Sequence, residues 1–535
     1  MSFVPNNNQQ LTLDDSMFHL TAREMKFLDR SWAKVFAEKI FPAIHEEDFA
    51  VLYSKKASRP NTPVNVIVGA LILKELLGLT DDEILESLMF DIRFQYALHT
   101  TSFEEQPLSD RTLSRFRARC LAYETETGID LIHECITKMS KEIAEIMQIA
   151  PTMQRTDSLM IAANIKKLSF LELFYTCVSN LAKAMDARNI CLPEELKHYL
   201  EKDDINKVIY HSNDRPVRER VYTVMKEGDK LLELCDGDMD DTSEYQLLIR
   251  LFNEQTIYDD GDKTRRLRTP DEFEHPSTQL RNPADPEATF RIKGGQHIGY
   301  VGNIVETVGE NGSVITDYAY EQNIYTDYQF LRDYIEQFPE NPETTELITL
   351  VADGAYGGSK NIRLAAEHGV NLIPTNFTSE KPADMFADFI FTDDGKELLR
   401  CAAGKHPIRT SCTKREMCRA KFRLEDCMNC PHRDICKPKF QKQSAIKDIS
   451  WKTVDRAQKA RFMKTQEFEE LAHFRSGVEA IPSLLRRKYR VDKIPAHGKL
   501  RTRFYYGFKI GAINVAKLLA YTNSLDKCTQ NSMIA

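Results

Sequence analysis

Leu347-Ile348-Thr349-Leu350-Val351-Ala352-Asp353-Gly354-Ala355-Tyr356-Gly357-Gly358 is the stretch whose reading decides the fold. Leu347, Ile348, Leu350 and Val351 make a short apolar β-type run that stops at Ala352-Asp353-Gly354, which sets a carboxylate at the carboxyl edge of a sheet. The glycine-rich turn leads into a helical pattern (Asn361, Ile362, Leu364, Ala365, Ala366) and then a second strand from Val370 to Pro374. Strand, acidic edge, helix, strand is the organisation of an α/β site at the carboxyl end of a sheet. A lone Asp before Gly is more often a turn or cap residue. Asp353 gains weight from two further acids: Asp157 in Gln154-Arg155-Thr156-Asp157-Ser158-Leu159-Met160, read as a second strand-end acid, and Glu479 on the basic helical stretch Phe474 to Tyr489.

At 535 residues the chain exceeds what one core usually supports, so two to four domains are expected. Hydrophobic residues at 42% and charged residues at 28% describe an ordinary soluble protein, and no stretch approaches the ~20 apolar residues of a membrane span. The polar start, Met1 to Gln10, resembles neither a secretory signal nor a transit peptide, which predicts a cytoplasmic protein. The net charge of −8 hides an asymmetry. Between Arg475 and Lys509 lie Arg486, Arg487, Lys488, Arg490, Lys493, Lys499, Arg501 and Arg503, interleaved with Tyr489, Phe504, Tyr505 and Tyr506, against only Glu479 and Asp492. That segment reads equally as a phosphate-binding surface and as a solvated cationic face.

The first 150 residues read as a helical domain. Val64, Ile67, Val68, Leu71, Ile72 and Leu76 recur at helical spacing, Gly78 ends that helix, and Thr80 with Glu83 forms a capping box for the next. A third helix begins at Ser109-Asp110, with Leu113 and Phe116 inward and Arg111, Arg115, Arg117 and Arg119 outward, an outline compatible with a helix-turn-helix reader of DNA. Beyond Asp157 further helices, Leu168 to Met185, Pro193 to Glu201, Val217 to Leu234 and Glu244 to Phe252, predict a helical insertion at about 165–285. The acidic run Asp236 to Asp241 lacks the Gly and Glu of a calcium loop and reads as a solvated loop. Strands return at His297 to Glu306 and Val314 to Tyr320, joined by a hairpin turn at Glu310-Asn311-Gly312.

Six of the twelve cysteines, Cys401, Cys412, Cys418, Cys427, Cys430 and Cys436, crowd one region, and Cys427-Met428-Asn429-Cys430 is a C-x-x-C knuckle. The knuckle supplies two ligands of a structural Zn²⁺, with Cys401 and Cys436 as candidates for the other pair beside Cys427 and Cys430, and Cys412, Cys418, His406 and His432 as substitutes; the alternative is a set of reduced buried thiols.

With these residues in view the chain resembles a known family. Asp91 to Cys120 resembles the N-terminal domain of bacterial insertion-sequence transposases; Arg155 to Ile165 resembles their first catalytic strand; Asn282 to Thr307 and Val351 to Gly358 resemble core strands. Cys401 to Cys436 resembles their cysteine-bearing insert, Phe474 to Tyr489 the helix carrying the third acid, and Tyr506 to Leu519 the closing helix. The resemblance implies a DDE transposase: an α/β protein with a ribonuclease-H-like mixed-sheet catalytic core, an α-helical N-terminal DNA-binding domain, a helical insertion and a small Cys-rich insert. The expected divisions are 1–150, 151–400, 401–440 and 441–535. It implies catalytic and metal-ligating roles for Asp157, Asp353 and Glu479, holding two Mg²⁺ or Mn²⁺ ions. It also implies DNA, both transposon ends and target, as partner, with a homodimer or higher assembly on it. A nuclease that does not join strands, and a silent DNA-binding descendant, are the alternatives.

Around Glu479, Leu471, Phe474, Val478, Ile481 and Leu485 form an apolar stripe, and Arg475, Glu479 and Arg486 share a neighbouring helical face. With Arg487, Lys488, Arg111, Arg115 and Arg119, Arg475 and Arg486 are the expected DNA contacts. Related transposases carry Tyr and Lys where this chain has Ala472 and Arg486. Pro482 predicts a kink just after Glu479.

Overall fold

Val64–Leu77 forms helix α1, and every residue of it except Glu75 and Leu77 is buried. A helix that is apolar all round has to be enclosed on every side. The computed structural model describes residues 1–6, 15–56, 58–103, 105–210, 215–235, 237–259, 264–340, 347–376, 381–392, 395–412 and 417–534. Gly78 ends α1 in the left-handed region at φ 73°, where a glycine carries no Cβ penalty, and Thr80 and Glu83 cap each other's backbone to open α2, Asp81–Phe90. Asp110–Thr127 is α3 and Leu131–Ile146 is α4. Asp91 caps an additional short helix, Ile92–Ala97, so α3 does not follow α2 through a simple turn as the helix-turn-helix outline expects.

The chain folds as two units, Met1–Ala150 with Ser158–Thr326 and Ile481–Ala535, and Pro151–Asp157 with Asp327–Ala480. Strand β1, Met153–Ala162, contributes its first residues to the second unit and its last to the first.

In the first unit, the C-terminal helix Lys499–Ile534 packs on α1 and α4 and so completes the enclosure of α1. Strands β2 (Thr289–Ile292), β3 (Gln296–Gly309) and β4 (Gly312–Gln322) are antiparallel neighbours, β3 pairing with both others and with β4 through the expected turn. The closing residues of β1 run beside β3, whose Ile298 carbonyl accepts the Ala163 N–H at 3.0 Å. The C-terminal helix covers β4, and buried Asn514 fixes it there: its side chain accepts the Ile315 N–H at 2.9 Å and donates to the Ile315 carbonyl at 2.7 Å. Phe170–Ala187 (α5), Val217–Cys235 (α6) and Ser243–Gln255 (α7) enclose a separate helical core around Phe174, Val178, Leu181, Leu231, Leu248 and Phe252. In the acidic run, Asp241 takes a two-pronged ion pair from Arg188 at 2.8 and 2.9 Å, while Asp236 lies outside the described residues.

The second unit holds helix α8 (Asp327–Ile335), strand β5 (Ile348–Ala352), helix α9 (Ser359–Glu367) and strand β6 (Val370–Pro374). The expected strand, helix, strand sequence is present, with β6 parallel to β5 and β5 parallel to the start of β1. The sheet is therefore mixed, and the class is α/β with a helical N-terminal region. Further along, Arg409–Cys412 (β7), Met417–Arg423 (β8), Lys439–Phe440 (β9) and Ser444–Ser450 (β10) make a small antiparallel sheet. Helices α10 (Trp451–Phe462) and α11 (Gln466–Ser476) follow.

Candidate active site

Parallel pairing sets Met153 opposite Thr349, Gln154 opposite Leu350 and Arg155 opposite Val351. Carried two residues further, the same register brings Asp157 alongside Asp353. Side chains on one face of a strand recur every second residue, so Arg155 and Asp157 share a face. Asp157 is not at a strand end, as its sequence setting suggested. It lies in the middle of β1, at the level where the neighbouring β5 has just stopped. The effect on the carboxylate is similar, since β1 loses its partner on that flank there. Asp353 is where it was expected, one residue past β5, and its Oδ1 accepts the Gly354 N–H at 2.6 Å. A Cβ on Gly354 would come within 2.5 Å of the Asn376 carbonyl oxygen, so only glycine allows this close turn after the acid.

Glu479 does not sit within one continuous α-helix. It ends the 3₁₀ turn Gly477–Glu479, between α11 and the helix Ala480–Arg487. Pro482 has no N–H to return to the Val478 carbonyl, and the helix tightens before the proline, where a kink after Glu479 was expected. Val478, Ile481 and Leu485 are buried, as the apolar stripe requires.

Arg475 joins two of the three acids. One terminal nitrogen lies 3.2 Å from Asp157 Oδ1 and the other 2.9 Å from Glu479 Oε1. The Arg475 side chain is 15% exposed and Glu479 64%, so the pair is covered on the guanidinium side and open on the Glu479 side. The i,i+4 spacing alone would be satisfied by a surface ion pair of no consequence; the reach to Asp157, more than three hundred residues earlier, is a contact that this spacing does not supply. Sequence reasoning missed Arg155. Its guanidinium donates to the Phe474 carbonyl at 2.7 Å and lies 5.3 Å from the centre of the Phe474 ring, tying β1 to the last turn of α11. A Cβ at Gly477 would overlap that guanidinium. Two residues before an acid on the same strand face was the signal available.

The expected DNA contacts divide. Arg111, Arg115, Arg487 and Lys488 are exposed. Arg119 lies half-buried over the Tyr53 ring at 4.8 Å, and Arg486 donates to the Met160 carbonyl at 2.8 Å. Arg117, expected outward, instead makes a two-pronged pair with Asp81 and packs over Tyr505. The Asp81 carboxyl is pulled down to about 2: burial raises it, and the Arg117 and Lys74 charges outweigh burial. Within the basic segment, Lys499 pairs with Glu321, Arg503 with Glu124 and Asp130, and Lys509 with Glu75. Tyr489, Phe504 and Tyr506 are buried. Much of that segment therefore neutralises internal acids and fills the core.

Cys401, Cys427, Cys430 and Cys436 line one cavity of about 30 Å³, together with His432. Of the substitutes, Cys418 is buried in the hydrophobic core, His406 bonds the Leu399 carbonyl, and the Cys412 side chain lies outside the described residues. Burial pushes the Cys427 thiol up to about 11, and Cys436, Cys401 and Cys430 add to the rise. Among the described residues no group of three or more His, Cys, Asp or Glu side chains is set to hold a metal ion as it stands. The donor chemistry suits the metals nonetheless, oxygen ligands for Mg²⁺ and four thiols for Zn²⁺. No helix among the described residues is long and apolar enough to cross a membrane.

Two family models match the chain. A transposase domain (DUF772) matches residues 26–119, which include α1, α2 and the arginines of α3, and a transposase DDE domain matches residues 400–519, which include the four cysteines, Arg475 and Glu479. No curated protein and no solved structure matches.

Proposed function

Because the chain belongs to the insertion-sequence DDE transposases, we propose that it cuts the ends of its element and joins them to target DNA by phosphoryl transfer at Asp157, Asp353 and Glu479. The observation that carries this reading is the convergence in one unit: Asp157 and Glu479 on a single guanidinium, and Asp353 beside Asp157 by strand register. A ribonuclease-H-like core is supported by the strands around β1, an antiparallel set beside its last residues and two parallel strands beside its first. The three carboxylates would hold two Mg²⁺ or Mn²⁺ ions, which when bound supply activation of the attacking hydroxyl and charge stabilisation at the leaving oxygen. The chain's own share is placement. Arg155 anchors β1 to α11, so that Asp157 keeps its position relative to Arg475 and Glu479. Arg475 is within reach of a phosphate brought to the acids, and a guanidinium matches phosphate through two parallel hydrogen bonds. Exposed Arg111, Arg115, Arg487 and Lys488, with Arg119 and Arg486, supply further backbone contacts. Two ends must be cut and joined together, which calls for a dimer or larger assembly on DNA.

The test is an Mg²⁺-dependent cleavage and strand-transfer assay on DNA flanking the chain's own gene, with Asp157→Ala alongside. Cutting and joining by the wild type alone is the expected result. Cutting without joining would make the protein a nuclease, and binding without cutting in Mg²⁺ or Mn²⁺ would make it a silent descendant.

The same reading includes a structural Zn²⁺ on Cys401, Cys427, Cys430 and Cys436, supported by their lining one cavity. A metal bound only by the folded state adds its binding free energy to folding. Chelation is expected to lower the melting temperature of the purified protein, and unchanged melting after complete metal removal would exclude the site.

A further inference from the structure

The guanidinium of Arg475 lies between two of the acids proposed to hold metal. Its two terminal nitrogens each take a different carboxylate, Asp157 at 3.2 Å and Glu479 at 2.9 Å. A divalent cation on those oxygens would lie against a fixed positive charge in a largely covered position, and at such range like charges repel strongly. Both cannot hold the same oxygens. Resting on the proposal that these acids are the metal ligands, we infer that Arg475 is a built-in counter-ion that keeps divalent metal out of the site until a DNA phosphate draws the guanidinium away.

Three observations support a releasable pair. Arg475 lies in the last turn of α11, where the helix dipole favours a cation with or without the acids. Its Nε is buried with no hydrogen-bond partner, so the fork is incompletely satisfied and stands to gain from a phosphate oxygen. Glu479, at 64% exposure, leaves the open side of the pair to solvent, from which a DNA strand would approach. Arg475 acts here as a positioning residue with two alternative partners: carboxylates without DNA, phosphate with it. Because coupling between two ligands is reciprocal, DNA that raises metal affinity must have its own affinity raised by metal to the same degree.

The experiment titrates Mn²⁺ into full-length protein without DNA, reading free Mn²⁺ by electron paramagnetic resonance. It compares wild type, Arg475→Gln, Arg475→Lys and the double variant Arg475→Gln/Asp353→Asn. Loss of the charge is expected to tighten Mn²⁺ binding about tenfold, an ordinary magnitude for one partly covered charge, while Arg475→Lys stays near wild type. Adding a short duplex of the flanking sequence, corrected for Mn²⁺ held by the duplex alone, should tighten wild-type binding and leave Arg475→Gln unmoved. Arg475→Gln binding no tighter than wild type overturns the inference. Should that variant not fold, the wild type alone decides: no gain in Mn²⁺ affinity with duplex also overturns it. If the double variant binds Mn²⁺ as Arg475→Gln does, the failure lies in the assignment of the acids themselves.

Discussion

Asp353→Asn protein is expected to bind its DNA ends as the wild type does and to cut them about 10²–10³-fold more slowly, the size of loss that follows removal of one electrostatic group aimed at the transition state. The substitution keeps the side chain's shape. The amide oxygen still accepts the Gly354 N–H that the carboxylate accepts now, so the tight turn is preserved. What disappears is one negative charge beside Asp157, and a hard dication bound through few protein ligands tolerates that loss badly. The exposed arginines of α3 belong to another unit and are untouched, which is why binding should survive. A gel-shift and a cleavage assay on the same preparation separate the two effects. Cutting at the wild-type rate would show that Asp353 only caps its turn.

Arg503→Met is expected to destabilise the protein by about 3 kcal/mol or more, the usual consequence of leaving a buried charge without its partner. Arg503 ion-pairs with Glu124 and lies 3.2 Å from Asp130 Oδ2, and the three side chains are 20%, 8% and 16% exposed. Burial depresses the guanidinium and raises the Asp130 carboxyl. Each alone would be costly in that setting, and methionine leaves both carboxylates without the cation they share. The readout is the melting transition of the full chain. Arg487→Met provides the contrast: that side chain is exposed, so stability should hold while DNA affinity falls and its salt dependence becomes shallower by about one charge. Were Arg503→Met instead to weaken DNA binding at unchanged stability, the basic segment would be a phosphate surface along its length.

These two residues also mark how far a linear reading reaches. Asp353 was legible because everything that defines it is within a dozen residues: an apolar run, an acid, glycines and a helical pattern. The Thr80–Glu83 box and the hairpin at Gly312 were legible for the same reason. Arg503 and Lys509 were not. Their partners are Glu124, Asp130 and Glu75, hundreds of residues earlier, and a charge run looks the same whether it faces phosphate or buried carboxylates. The outer arginine face of α3 failed at Arg117 through the same long-range pairing, with Asp81 and Tyr505. Helical spacing placed Arg475 four residues from Glu479 but could not show that Asp157 takes its other nitrogen. The 3₁₀ break at Gly477–Glu479 was signalled by Pro482, and it falls immediately before the place where the kink was expected.

The burial of α1 has a consequence for how the chain is made. A ribosome releases Val64–Leu77, a helix with hydrophobic side chains on all faces, hundreds of residues before Lys499–Ile534, which covers it. Until then the N-terminal helices have an unfilled slot, and Glu75 waits for Lys509. A chain broken off before residue 499 would leave that slot open for good, and incomplete copies would offer an apolar surface to chaperones and proteases. Synthesis through the covering helix Lys499–Ile534 is thus a condition for a finished N-terminal region.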